Sequence, residues 1–176
     1  MPTAEIRRAT ETDMPALGAV HVAAWQWAYR GLMPDTVLDA MDAGRRAEGW
    51  TRLVREGTVP QPHVAVIGME MVGFSHAGTS RDDDAGPQTG EVTSLYLRED
   101  QVGTGLGRRL WDAALDQLRS SRHTKVSVWV LDTNVRGRRF YERMGLVPDG
   151  AARTEVLSGS PLAEVRYSAP LAGTTP

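Results

Sequence analysis

The stretch Val102-Gly103-Thr104-Gly105-Leu106-Gly107 constrains the fold of this chain more than any other. Its three glycines alternate with small or apolar residues, directly after the apolar run Val92 to Leu97 and directly before a helical pattern. A turn of that kind lets backbone N–H groups approach a ligand without Cβ obstruction, and the positive end of the helix dipole then favours an anion such as phosphate. Taken alone, a glycine triplet reads first as an ordinary strand-to-helix turn, so its surroundings decide the matter.

Those surroundings form a β-α-β unit. Glu91 to Leu97 is rich in β-branched and apolar residues, as a strand requires. After the turn, Trp111, Ala114, Leu115 and Leu118 recur at helical spacing while Arg109, Asp112, Asp116 and Arg119 face away. Lys125 to Leu131 then reads as a second strand, parallel to the first because a whole helix separates them. Upstream, Glu5 to Ala9 predicts a strand, and Thr12 is expected to cap a long helix with Asp13 and Pro15 in its first turn. Pro34 to Met41 and Ala43 to Arg55 predict two further helices, and His63 to His76 a hairpin turning through Gly68 to Met71. Ser80 to Gln88 holds Asp82-Asp83-Asp84, Gly86 and Pro87, which predicts a mobile, solvated loop. Downstream come a short helix ended by Gly145, a terminal hairpin around Ser158 to Pro161, and a frayed tail over 171–176. The order predicts one α/β domain over 1–170 with a mixed sheet.

Composition narrows the chemistry. A formal net charge of -2 and a pI near 6.1 provide no basic field for nucleic acid or an anionic membrane. No apolar run approaches the ~20 residues of a membrane span, and the first residues lack a signal-peptide core, so a cytoplasmic protein is expected. The absence of cysteine removes thiol nucleophiles and thiolate metal sites, and four scattered histidines lack metal-ligand spacing, so no metal is expected.

Two familiar glycine motifs fail. A dinucleotide-binding turn reads G-x-G-x-x-G with an acidic residue about 20 positions on, and a P-loop needs Gly-Lys-Ser/Thr where this chain has Gly107-Arg108-Arg109. The turn instead resembles the Q/R-x-x-G-x-G/A signature of the GNAT superfamily of acyl-CoA-dependent N-acyltransferases. It matches at Gly105-x-Gly107 and departs at Val102, where the family carries Gln or Arg. A second, independent segment, Asn134-Val135-Arg136-Gly137-Arg138-Arg139-Phe140-Tyr141-Glu142-Arg143-Met144-Gly145-Leu146, resembles the family's N-x-R-A-x-x-F-Y-E-K-x-G-F. Ile6 to Thr10 with Asp13 is similar to the family's first strand and helix entry. The likeness spans nearly the whole chain and is best from Glu91 to Leu146.

The resemblance implies a GNAT-like fold: a central, mostly antiparallel mixed sheet with one splayed parallel strand pair, flanked by helices on both faces. It implies acetyl-CoA as co-substrate and direct transfer to a primary amine of a small molecule, with a protein or peptide amine, or a non-catalytic acyl-CoA-binding module, as alternatives. It also leaves room for a homodimer. An alkylammonium with a pKa near ~10 must lose a proton before attacking a thioester, and the departing thiolate must gain one. On the family pattern Glu91 is the candidate base and Tyr141 the candidate acid, against an ion-paired strand-end carboxylate and a core phenol respectively. His76, on the neighbouring strand, is an alternative base, against the structural role that a lone strand histidine more often has. The implied cofactor contacts are Leu95, Tyr96 and Leu97 along the strand, the amides of Val102, Gly103, Thr104, Gly105, Leu106, Gly107 and Arg108 for the pyrophosphate, and Asn134, Gly137, Phe140 and Tyr141 from the second segment. Arg108, Arg109, Arg138 and Arg139 are read as solvated helix charges unless geometry aims them at the nucleotide. Among the aromatics of the first helices, Trp27 and Tyr29 are the candidate acceptor contacts.

Overall fold

A computed structural model describes residues 3–171. It contains one seven-stranded sheet of β1 (Glu5–Arg8), β2 (His63–Ile67), β3 (Glu70–Thr79), β4 (Thr89–Leu97), β5 (Lys125–Leu131), β6 (Val147–Leu157) and β7 (Ser160–Pro170), in the order β1-β2-β3-β4-β5-β7-β6. Every neighbouring pair is antiparallel except β4 and β5. The expected sheet is therefore present, with helices on both faces. Helices α1 (Met14–Ala28), α2 (Asp35–Asp39) and α3 (Ala43–Arg55) cover one face, and α4 (Leu106–Ser120) and α5 (Val135–Arg143) cover the other. The tail expected over 171–176 lies outside the described residues except for Leu171, which is buried and donates its N–H to the Thr124 carbonyl at 2.8 Å.

Apolar spacing explains the layers. On α4, Leu106, Leu110, Trp111, Ala114 and Leu118 are buried, and the last three pack with Val92, Val126, Val128, Val130 and Tyr167. On the opposite face, Met14, Leu17 and Val20 of α1 and Trp50 of α3 meet Val64, Met71 and Phe74. The two helices approach closely at Gly18, where an added Cβ would overlap the Ala43 carbonyl and lie 2.8 Å from the Ala47 nitrogen.

The start of α1 corrects one expectation. Thr12 is not the cap: Thr10 caps a short 3-10 turn over Glu11–Asp13, and Asp13 is the N-cap residue of α1. The Asp13 carboxylate accepts from the Thr10 N–H at 2.7 Å and the Thr10 hydroxyl at 2.8 Å, and Arg7 grips it at 2.7 Å. Its hydrogen bond from Arg7 holds that carboxyl well below the usual range.

The parallel strand pair is short. It holds Thr89, Gly90 and Glu91 opposite Lys125, Val126 and Ser127, after which the strands diverge and β5 continues only against β7. On its other side β4 stays paired with β3, with one register break that leaves Thr93 as the extra residue. The sheet thus opens into a fork whose tips are the glycine turn after β4 and Asn134 after β5.

Candidate active site

The fork opens into a cavity of about 730 Å³. Its β4 wall carries Glu91 to Leu97, and Val128 to Leu131 supply the β5 wall. At the β4 tip, Gly103 and Gly105 take positive φ values of 85° and 87°, where glycine has no Cβ penalty. Gly105 caps α4 without any side-chain hydrogen bond, so the first amides of that helix keep free donors at the cavity mouth. Val102, Gly103, Gly105, Gly107 and Arg108 line this end. Thr104 and Leu106, two of the expected contacts, do not line the cavity: Thr104 donates its hydroxyl to the Gln101 carbonyl at 2.8 Å, and the Leu106 side chain is buried in the core. Of the four arginines considered, Arg108 lines the cavity, whereas Arg109 bonds the Ala4 carbonyl and Arg138 bonds Tyr167 and the Asp132 carbonyl.

At the β5 tip Asn134 caps α5, its Oδ1 accepting from the Gly137 N–H at 3.0 Å. That leaves the amide NH₂ as its free group toward the cavity. Gly137, Phe140 and Tyr141 also line it, with Tyr141 packed on Trp111 and Phe140. Burial first, and then Tyr96, push the Tyr141 phenol well above its ordinary range, so it holds its proton.

Glu91 sits at the base of the fork and is only 7% exposed. Its neighbour Val92 packs into the layer that holds α4 and Tyr141, so strand alternation turns Glu91 toward the α1–α3 face. The fork therefore has Tyr141 on one side and Glu91 on the other. Burial is the main force raising the Glu91 pKa, and Asp82 adds to it, against Arg153, Arg81 and a hydrogen bond from the Arg81 backbone. His76 is placed differently. It is buried, its Nδ1 lies 2.6 Å from the Thr93 hydroxyl, burial lowers its pKa to about 4, and it does not line the cavity. That placement fits the structural alternative.

Trp27 and Tyr29 both line the cavity. The Arg136 guanidinium lies 3.9 Å from the centre of the Trp27 ring, and the Tyr29 and Tyr96 hydroxyls are 3.4 Å apart. Trp50 is buried core, packed edge-on against Phe74. Sequence reasoning missed the far wall: Trp129, Arg153, Glu155, Leu157, Leu162 and Glu164. Arg153 joins Glu164 at 2.7 Å and covers the Trp129 ring at 4.2 Å. Alternation along β6 and β7 puts Arg153, Glu155, Leu157, Leu162 and Glu164 on one face, but it is the pairing of β7 with β5, Glu164 opposite Leu131, that brings them to the fork.

The Ser80 to Gln88 loop also differs from expectation. Its acidic run is anchored, with Asp82 and Asp84 bound to Arg166 of β7 and Asp82 accepting from the Trp129 indole. The repulsion read from the sequence is neutralised by a cation about 80 residues away.

A sequence profile of the acetyltransferase (GNAT) family matches residues 21–146. A probable N-acetyltransferase of Mycobacterium tuberculosis is 28% identical over 174 residues, covering 92% of this chain and 91% of that protein. Among solved structures, an acetyltransferase-fold protein of Salmonella typhimurium with its cofactor acetyl-CoA superposes at a TM-score of 0.72 with 21% identity, over 99% of this chain and 97% of the other. A ribosomal-protein-alanine N-acetyltransferase of Brucella melitensis superposes at 0.73 with 22% identity, over 95% and 99%. The chain belongs to the GNAT acetyltransferase family. Among the described residues no helix is long and apolar enough to cross a membrane.

Proposed function

We propose that this protein transfers the acetyl group of acetyl-CoA directly to a primary amine of a small molecule. The observation that carries the reading is the fork: uncapped amides of α4 at its mouth, free strand edges along its walls, and a buried carboxylate at its base. The amides would hold the pyrophosphate, the diverging edges of Leu95 to Leu97 would take the pantetheine and acetyl groups, and the Asn134 amide would bind the same arm. The amine enters from the α1–α3 face. Glu91, in its carboxylate form, accepts a proton from the ammonium, directly or through one water. The neutral amine attacks the thioester carbonyl, the tetrahedral adduct collapses with C–S cleavage, and the phenol of Tyr141 donates its proton to the departing thiolate on the opposite side. The amide nitrogen then gives up its remaining extra proton, through water, to the tyrosinate left behind, and Glu91 releases its own to solvent, so the products are the neutral acetylamide, free CoA thiol and one proton.

Met33, Leu157 and Leu162 form an apolar cluster that lines the cavity beside Trp25 and Tyr29, and a small amine is the acceptor class proposed for it. The proposal includes a cytoplasmic setting. Thiol release from acetyl-CoA across polyamines, aminoglycosides, amino acids and N-terminal peptides tests it. Turnover with a small amine is expected. Turnover with peptides alone would replace the acceptor class, and CoA binding without any turnover would reduce the protein to a binding module.

A further inference from the structure

Arg166 is a charged side chain that the reaction outlined above does not use, yet it is only 9% exposed. It gathers three carboxylates from two separate segments. Its Nε donates to Asp149 at 2.8 Å, its Nη1 to Asp82 at 2.9 Å and to Asp84 at 2.6 Å, and its Nη2 to Asp84 at 2.6 Å. Asp149 lies at the register break between β6 and β7, and Asp82 and Asp84 belong to the loop joining β3 to β4. The Trp129 indole N–H donates to both oxygens of Asp82 at 3.1 Å, and the Arg166 guanidinium lies 5.5 Å from the same ring. Ser80 extends the attachment, its N–H donating to the Thr89 carbonyl at 2.9 Å. Trp129 and Glu91 both line the cavity, so this clamp sits beside the base of the fork.

We propose that Arg166 is a positioning residue: by binding Asp82, Asp84 and Asp149 together it holds the 80–88 loop against Trp129, and the held loop shuts water away from Glu91. The inference rests on the reading of Glu91 as the base. A planar guanidinium can serve three carboxylates at once, which an ammonium cannot do with the same geometry. The groups facing Glu91 are Arg81 and Asp82 from the loop and Arg153 from β6, with Ser127 beside it on β5 and Gly78 on β3. Releasing the loop withdraws the Asp82 charge and admits water. Both changes favour the ionised carboxylate and outweigh the loss of the Arg81 charge and backbone N–H, which leave with the same loop and act the other way, so Glu91 should then titrate at lower pH. The acid limb of the transfer reaction should follow it.

The test is a ¹³C NMR titration of the Glu91 carboxyl in the ligand-free protein, assigned with Glu91→Gln, for the parent, Arg166→Lys and Asp84→Asn. Arg166→Lys keeps the charge and loses the fork. Asp84→Asn removes only the outer tie and protects the test if the first variant fails to fold. In the parent the midpoint should lie above the ordinary glutamate value of 4.5, and in both variants it should fall toward that value. An unchanged midpoint in both variants overturns the proposal. A fall in Asp84→Asn alone, with Arg166→Lys folded and unchanged, also overturns it, because charge removal and not loop release would then be the cause. If both midpoints fall but Glu91→Gln keeps the parent pH–rate profile, the positioning of the loop stands and the base reading falls.

Discussion

Glu91 carries a thermodynamic signature that can be read without a substrate. Its pKa is raised in the folded protein, chiefly by burial. A carboxyl raised in this way favours folding while it is protonated, and that contribution is lost as pH rises through the folded pKa. Glu91→Gln should therefore melt at a higher temperature than the parent at pH 8, with the difference vanishing near pH 4. Equal melting at both pH values would mean that Glu91 is not desolvated. The same substitution should reduce transfer sharply and flatten the acid limb of the pH–rate profile. Tyr141→Phe should lower the transfer rate by about 10²-fold or more while leaving CoA affinity nearly unchanged, as single-turnover rates and calorimetry would show. A rate close to the parent would leave Tyr141 as a packing residue. Both positions were pointed to by the family resemblance of the sequence around them, and both line the cavity. Asp82, which acts on Glu91 through space, was not legible there, since nothing local distinguishes it from its neighbours Asp83 and Asp84.

Two glycines test the elements. At Gly18 the backbone of α3 lies against α1, and an alanine Cβ would overlap the Ala43 carbonyl. Gly18→Ala should cost about 1–3 kcal/mol by chemical denaturation, since helix backbones cannot yield as a flexible side chain does. Gly105 is the opposite case: a Cβ there meets nothing within 4 Å, but the φ of 87° penalises any L side chain. Gly105→Ala should cost about 1 kcal/mol in stability and weaken CoA binding by displacing the α4 amides. Undiminished CoA affinity in a folded variant would remove those amides from the cofactor site. Most elements could be read from periodicity, and Lys125–Leu131 matches its predicted strand end to end. Local pattern failed where the deciding partner is remote. The Ser80 to Gln88 loop is fixed by Arg166, and the cap at Thr10 is chosen by Asp13 together with Arg7.

Acid response belongs to the molecule as a whole. Burial lowers the pKa of His21 to about 3, with Arg46 assisting, and that of His76 to about 4. Both are neutral when folded and gain protons on unfolding, so the stability they lend is complete above 6.5 and lost as pH falls. Each should contribute a slope of up to about 1.4 kcal/mol per pH unit below that point. Denaturant unfolding at a series of pH values checks this, and a flat free energy between pH 6.5 and 5 would falsify it. The fork has a mechanical consequence at the same scale. Strands β1 to β4 and strands β5 to β7 are two half-sheets stitched together by three residue pairs, Thr89 to Glu91 against Lys125 to Ser127. On the proposed reading a cofactor wedged between them would be mortar as well as reactant: by bonding both free edges it should lock the halves into one rigid slab, and each release of CoA should return the enzyme to a looser, breathing form.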